Sequence, residues 1–120
     1  MKIKFLIAVL ALISASVKAQ ITTQTLKVNG ECSMCKKTIE NACYGVKGLK
    51  TAEWNEDSLT LTVSFDSTKT TPTAILKRVA MVGYDSEQFK AADKVYLKLH
   101  GCCQYDRSRV TVVATQKESN

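Results

Sequence analysis

Along the chain, apolar positions switch between a period of two and a period near 3.6, and each switch marks an element. Thr22 to Val28 sets Leu26 and Val28 among threonines and other polar residues at alternating positions, the pattern of a strand, which Asn29-Gly30 ends. From Cys35 the spacing becomes helical: Ile39 and Cys43 fall on one stripe with Ala42 beside them, while Lys36, Lys37 and Glu40 face away. Gly45 and Gly48 bracket the helix exit. Leu49 to Trp54 predicts a second strand, and the turn cluster Asn55-Glu56-Asp57 leads to a third, over 58–65. There Leu59, Leu61, Val63 and Phe65 alternate on one buried face, so the pair reads as a hairpin. After a polar loop over 66–71, Thr71 is a candidate N-cap, Pro72 suits the first helical position, and Ile75, Leu76, Val79 and Ala80 supply the apolar stripe. Gly83 closes this helix, and Tyr84 to Phe89 predicts a short fourth strand.

The order strand, helix, strand, strand, helix, strand predicts an α+β chain. Two βαβ units of this kind build the ferredoxin-like βαββαβ sandwich, four antiparallel strands with both helices on one face. Past it, Val95 and Leu99 stand at i and i+4, so a short third helix is predicted over 91–99, stopped at Gly101. Cys102-Cys103 follows, then a tail in which Val110 to Ala114 either adds a strand or hangs free.

Composition changes this picture at the N-terminus. Met1-Lys2-Ile3-Lys4 is a basic start, Phe5 to Ala15 is almost unbroken apolar sequence, and Val17-Lys18-Ala19 places small residues at −3 and −1, so residues 1–19 read as a secretory signal peptide cleaved before Gln20. The apolar run falls short of the ~20 residues of a membrane span. The mature protein is therefore expected in a periplasmic or secreted location and not embedded in a membrane. Its residues 20–90 form the predicted domain and 91–120 the C-terminal helix and Cys-containing tail. The formal charge of +6 falls to +3 when Lys2, Lys4 and Lys18 leave with the leader. No basic block interleaved with aromatics occurs, which argues against nucleic acid.

All five cysteines, Cys32, Cys35, Cys43, Cys102 and Cys103, lie in the mature part, an odd number that internal disulfides cannot use up. Cys43 belongs to the helical stripe and reads as a small core residue. Cys32-x-x-Cys35 sits where a strand gives way to a helix. Helix N-terminal amides are unpaired donors at the positive end of the dipole, so they favour thiolate over thiol. Two thiolates on a flexible Gly-led loop can open to nearly opposite sides of one ion, which suits linear or trigonal coordination of a soft ion, Cu(I) foremost, with Hg(II) or Zn(II) behind it. A bridge between them would close too little chain to stabilise the fold much.

The motifs Gly30-x-Cys32-x-x-Cys35-Lys36-Lys37-x-Ile39-Glu40, Gly45-Val46-x-Gly48-Leu49, Ala52-Glu53-Trp54, Leu59 to Asp66 and Val82-Gly83-Tyr84-Asp85 together resemble the heavy-metal-associated domain. That family includes copper chaperones, the N-terminal domains of copper-pumping ATPases and the exported mercury-binding protein of mercury-resistance systems. The resemblance implies capture of a soft ion by Cys32 and Cys35 and its transfer by ligand exchange to a membrane metal transporter or another metal-binding protein. It also implies that Tyr84 lies beside the metal loop and shields it. Two features depart from the family. Gly30 stands where the commoner motif has a Met packed beneath the loop, and Met34 between the cysteines is either a plug or cover of the site or a thioether ligand. The second departure is His100-Gly101-Cys102-Cys103.

A nine-residue helix after the fourth strand rises roughly 13 Å and would carry Cys102 and Cys103 back toward Cys32 and Cys35. They would then be metal ligands, disulfide partners or surface thiols that join two molecules, and His100 a helix-end residue or a further ligand. With three or four thiolates, Zn(II) is as reasonable as Cu(I). No triad, paired carboxylates or phosphate loop points to an enzyme. The alternative is an exported thiol–disulfide oxidoreductase using the same Cys32-x-x-Cys35.

Overall fold

A computed structural model describes residues 18–112 and 118–119. Most of the predicted leader and the end of the 110–114 segment lie outside the described residues. Strands β1 (Ile21–Lys27), β2 (Leu49–Asn55) and β3 (Thr60–Asp66) form an antiparallel sheet in the order β1-β3-β2. Leu61 of β3 lies opposite both Leu26 and Trp54, and Val63 opposite Ala52. Leu61, Val63 and Phe65 are all buried, as the alternation requires. The third strand starts at Thr60 because Leu59 takes a left-handed φ of 54°, with Asn55 Oδ1 accepting from the amides of Asp57 (2.9 Å) and Ser58 (3.0 Å) in the turn before it.

Helix α1 (Ser33–Tyr44) buries Cys35, Ile39, Ala42 and Cys43, and α2 (Pro72–Met81) buries Ile75, Leu76, Val79 and Ala80. The Ala74 amide donates to Thr71 Oγ1 at 3.2 Å, so the predicted cap and the proline at the start of α2 are both in place. Polar side chains fix α1 over β2: Glu40 Oε2 accepts from the Trp54 amide (2.8 Å) and from Lys36 Nζ (2.7 Å), whose other bond goes to the Trp54 carbonyl (2.9 Å).

The fold is the ferredoxin-like α+β sandwich, with one edge reduced. Tyr84 to Phe89 contributes a single antiparallel bridge, Val28 to Ser86, in place of a fourth strand. The Asn29 amide donates to the Asp85 carbonyl (2.8 Å) and the Glu87 amide to Lys27 (3.1 Å), so the segment still lies against the end of β1. Ser86 Oγ then accepts from the amides of Gln88 (3.2 Å) and Phe89 (3.1 Å), and this local turn draws the chain off the ladder before it can extend.

The predicted 91–99 helix is likewise shortened. After a two-residue strand β4 (Lys90–Ala91), paired in parallel with β5 (Glu118–Ser119), only Asp93–Tyr96 is α-helical (α3). Lys98 and Leu99 continue it with tighter bonds to Val95 and Tyr96. Leu99 there packs on Gly83, whose φ of +108° and close approach leave no comfortable room for a Cβ.

Candidate metal centre

Cys32 is the N-cap of α1, with extended backbone (φ −144°, ψ −176°), and its carbonyl accepts the first helical bond from Lys36 at 3.1 Å. The amides of Cys35 and Met34 point at its sulfur and hold the Cys32 thiol below the ordinary thiol range. Its Sγ lies 4.0 Å from Cys35 Sγ.

Beneath the loop, against Gly30, lies Trp54. Its ring lies so close to Gly30 that a Cβ there would sit 2.7 and 2.9 Å from two ring carbons, and its Nε1 donates to the Val28 carbonyl at 2.9 Å.

The loop is not open in the way its glycine implies. Cys35 has no exposure, Cys32 is half-buried, and the cover is the protein's own C-terminal segment. The 3₁₀ turn Gly101–Cys103 brings Cys103 Sγ to 3.9 Å from Cys32 Sγ, and Cys102 Sγ to 4.0 Å from Cys103 Sγ. The sulfurs of Cys32, Cys102 and Cys103 all lie within 4.8 Å of one another. Burial, with the neighbouring Cys35 and Cys32 sulfurs, pushes the Cys103 thiol up. Cys102 is exposed, and all five cysteines are free thiols. The predicted return of the tail is thus achieved by a turn and a half of helix and a 3₁₀ turn.

The remaining predicted residues separate. Tyr84 is buried against Cys35 and Cys103, and burial followed by contact with those sulfurs pushes its hydroxyl's pKa up. Met34 is 46% exposed, so it is no core plug; its Sδ lies 3.8 Å from Cys102 Sγ, as a cover on the outer side. His100 heads the 3₁₀ turn, gives its carbonyl to the Cys103 amide (2.7 Å), and is outside the group of converging sulfurs.

What holds the segment down was not singled out from sequence. Tyr105 stacks on Tyr84 (5.6 Å between centroids, 18° between planes), donates its hydroxyl to the Gly83 carbonyl at 2.7 Å and accepts from the Asp85 amide at 2.8 Å. Arg107 clasps Asp85 with two bonds of 2.8 Å and lies 4.6 Å from the centre of the Tyr96 ring. Asn29 Nδ2 donates to the Asp106 carbonyl (2.8 Å), and Arg109 reaches the Gly30 carbonyl and Glu31 (3.1 Å). The alternation Tyr105-x-Arg107-x-Arg109 is the one local signal that could have marked this strap.

The heavy-metal-associated domain pattern matches residues 25–85, half of the chain, and includes both loop cysteines. The protein belongs to the heavy-metal-associated domain family. The mercuric transport protein periplasmic component of Pseudomonas aeruginosa is 34% identical to this domain protein over 87 residues, which is 72% of this chain and 96% of the relative. Among solved structures, oxidized MerP from Ralstonia metallidurans CH34 is similar at a TM-score of 0.53 and 32% identity, covering 56% of this chain and 94% of that one. The CopZ metallochaperone is similar at a TM-score of 0.53 and 26% identity, over 54% of this chain and 98% of its own. The family match ends at Asp85, so the vicinal cysteines and the strap that carries them lie beyond the heavy-metal-associated pattern. The oxidoreductase alternative finds no support in this family or in an antiparallel ferredoxin-like sheet.

Proposed function

We propose that this protein captures a thiophilic metal ion on Cys32 and Cys35 and passes it to a partner by thiolate exchange. The observation that carries the reading is the Cys32 sulfur, turned toward helix-start amides and 4.0 Å from a second thiol. The donor set is soft: the nearby carboxylate, Glu31, is paired with Arg109. Cu(I) is the expected cargo because it accepts two or three thiolates without further ligands. Hg(II), the metal named for the Pseudomonas relative, and Zn(II) compete for the same sulfurs. A leader-like N-terminus and a relative named as a periplasmic component support a periplasmic or secreted protein. Its partner is then a membrane metal transporter or another metal-binding protein. No helix of the described residues is long and apolar enough to cross a membrane. The role in this reading is metal binding, as in the heavy-metal-associated relatives, and not catalysis.

Native mass spectrometry of the reduced protein, with Cu(I), Hg(II) and Zn(II) offered in turn, tests this. One Cu(I) per chain is expected, and Cys32→Ser/Cys35→Ser weakens its binding by at least ~100-fold. Undiminished binding in that double variant refutes the reading.

A further inference from the structure

Four sulfurs form one cluster that reaches from the interior to the surface: Cys35, fully buried; Cys103, 4% exposed; Cys32, half-buried; and Cys102, exposed. Cys32 Sγ lies 4.0 Å from Cys35 Sγ and 3.9 Å from Cys103 Sγ, and Cys103 Sγ lies 4.0 Å from Cys102 Sγ. An ion about 2.3 Å from each of three coplanar sulfurs sets those sulfurs about 4.0 Å apart, so each neighbouring pair is already at ligand spacing. Adjacent residues in a strand would point their side chains to opposite sides. The 3₁₀ turn instead keeps Cys102 and Cys103 together, and the strap from Tyr105 to Arg109 pins that turn over the loop.

We propose that Cys102 and Cys103, with Cys32 shared, form a second metal station through which the ion bound by Cys32 and Cys35 reaches the surface. This rests on the function proposed above and adds a route to it, since no partner thiol can approach Cys35 directly. The ion moves by associative exchange. A bond to Cys103 forms before the bond to Cys35 breaks, and Cys102 joins as the ion arrives in the outer triad. Each incoming thiol gives its proton to solvent, each departing thiolate takes one up, and the metal keeps its oxidation state. A partner's thiol then attacks beside Cys102, where Met34 Sδ supplies a soft neighbour at 3.8 Å.

The reduced protein is loaded with one equivalent of Cu(I), sulfur number is read by X-ray absorption, and affinity by competition with a Cu(I) chelator. Cys35→Ser is expected to keep one ion per chain with three sulfurs, and Cys35→Ser/Cys102→Ser to fall to two sulfurs with at least ~10-fold weaker binding. The second change is at an exposed position and leaves the core intact. On an intact Cys32–Cys35 pair, Cys102→Ser/Cys103→Ala lowers the wild-type sulfur number from three to two, which answers the question even where Cys35→Ser fails to fold. A folded Cys35→Ser protein that binds no Cu(I), or a sulfur number unmoved by loss of Cys102 and Cys103, overturns the outer station. Wild-type binding in Cys32→Ser/Cys35→Ser overturns the underlying function instead, so the two failures are distinct.

Discussion

Helix α1 carries a cysteine at each end of its run, and the two ends drive the thiols in opposite directions. At the first end Cys32 caps the helix, where free amides of Cys35 and Met34 stabilise its thiolate. In the last turn Cys43 has no exposure, and burial, reinforced by the charge of Glu40, pushes its thiol up to about 12. The residue type is the same and the helix is the same. What differs is whether backbone donors remain unpaired, as they do only over the first turn, and whether water can reach the sulfur. A cysteine is therefore inclined to thiolate or kept as a neutral core thiol according to its place along the helix.

Thiol labelling should show the largest contrast. At pH 7 and without metal, Cys32 is expected to react with iodoacetamide more than ~100-fold faster than Cys43, because thiolate content and access both favour it. Comparable rates, read by peptide mass spectrometry, would remove the distinction. Next in size is Trp54→Ala, which empties the space under Gly30 at the metal end; a loss of about 3–5 kcal/mol is expected in denaturant titration. Cys43→Ser should cost about 1–3 kcal/mol by burying a hydroxyl among apolar side chains. Its Cu(I) stoichiometry should stay at one, and a drop in binding would show that the two ends are coupled.

The smallest effect is a pH slope. Cys43 is neutral in the folded state up to about 12, whereas an unfolded thiol ionises near 8.5, so its contribution is intact below the lower value and declines as pH rises between the two. Within that window stability should fall by up to about 1.4 kcal/mol per pH unit relative to Cys43→Ala. Equal slopes in the two proteins would show that this thiol does not titrate on unfolding.

The same contrast separates what could be read along the chain from what could not. Cys43 was legible as core because its neighbours on the stripe, Ile39 and Ala42, lie within one turn of it. Thr71-Pro72 was legible as a helix start for the same local reason. The burial of Cys35 is not legible locally, since part of its cover comes from some seventy positions away, where Cys103 sits beside Cys32 with a sequence separation of 71. The segment 84–89 forms one bridge in place of a strand because nothing in its residue types reveals that Ser86 bonds its own following amides.

By itself, the sequence determined the first three strands, the two long helices, the Thr71 cap and the presence of a thiolate-favouring pair at the start of α1. These rest on periods of two and 3.6 and on bonds that span four residues or fewer, which any stretch of chain carries with it. Only the tertiary structure decided that Trp54 seats the loop, that Tyr105, Arg107 and Arg109 tie the tail across it, and that two more thiols join the first pair. Those contacts depend on how distant surfaces fit once the core has formed, and no local pattern encodes that fit.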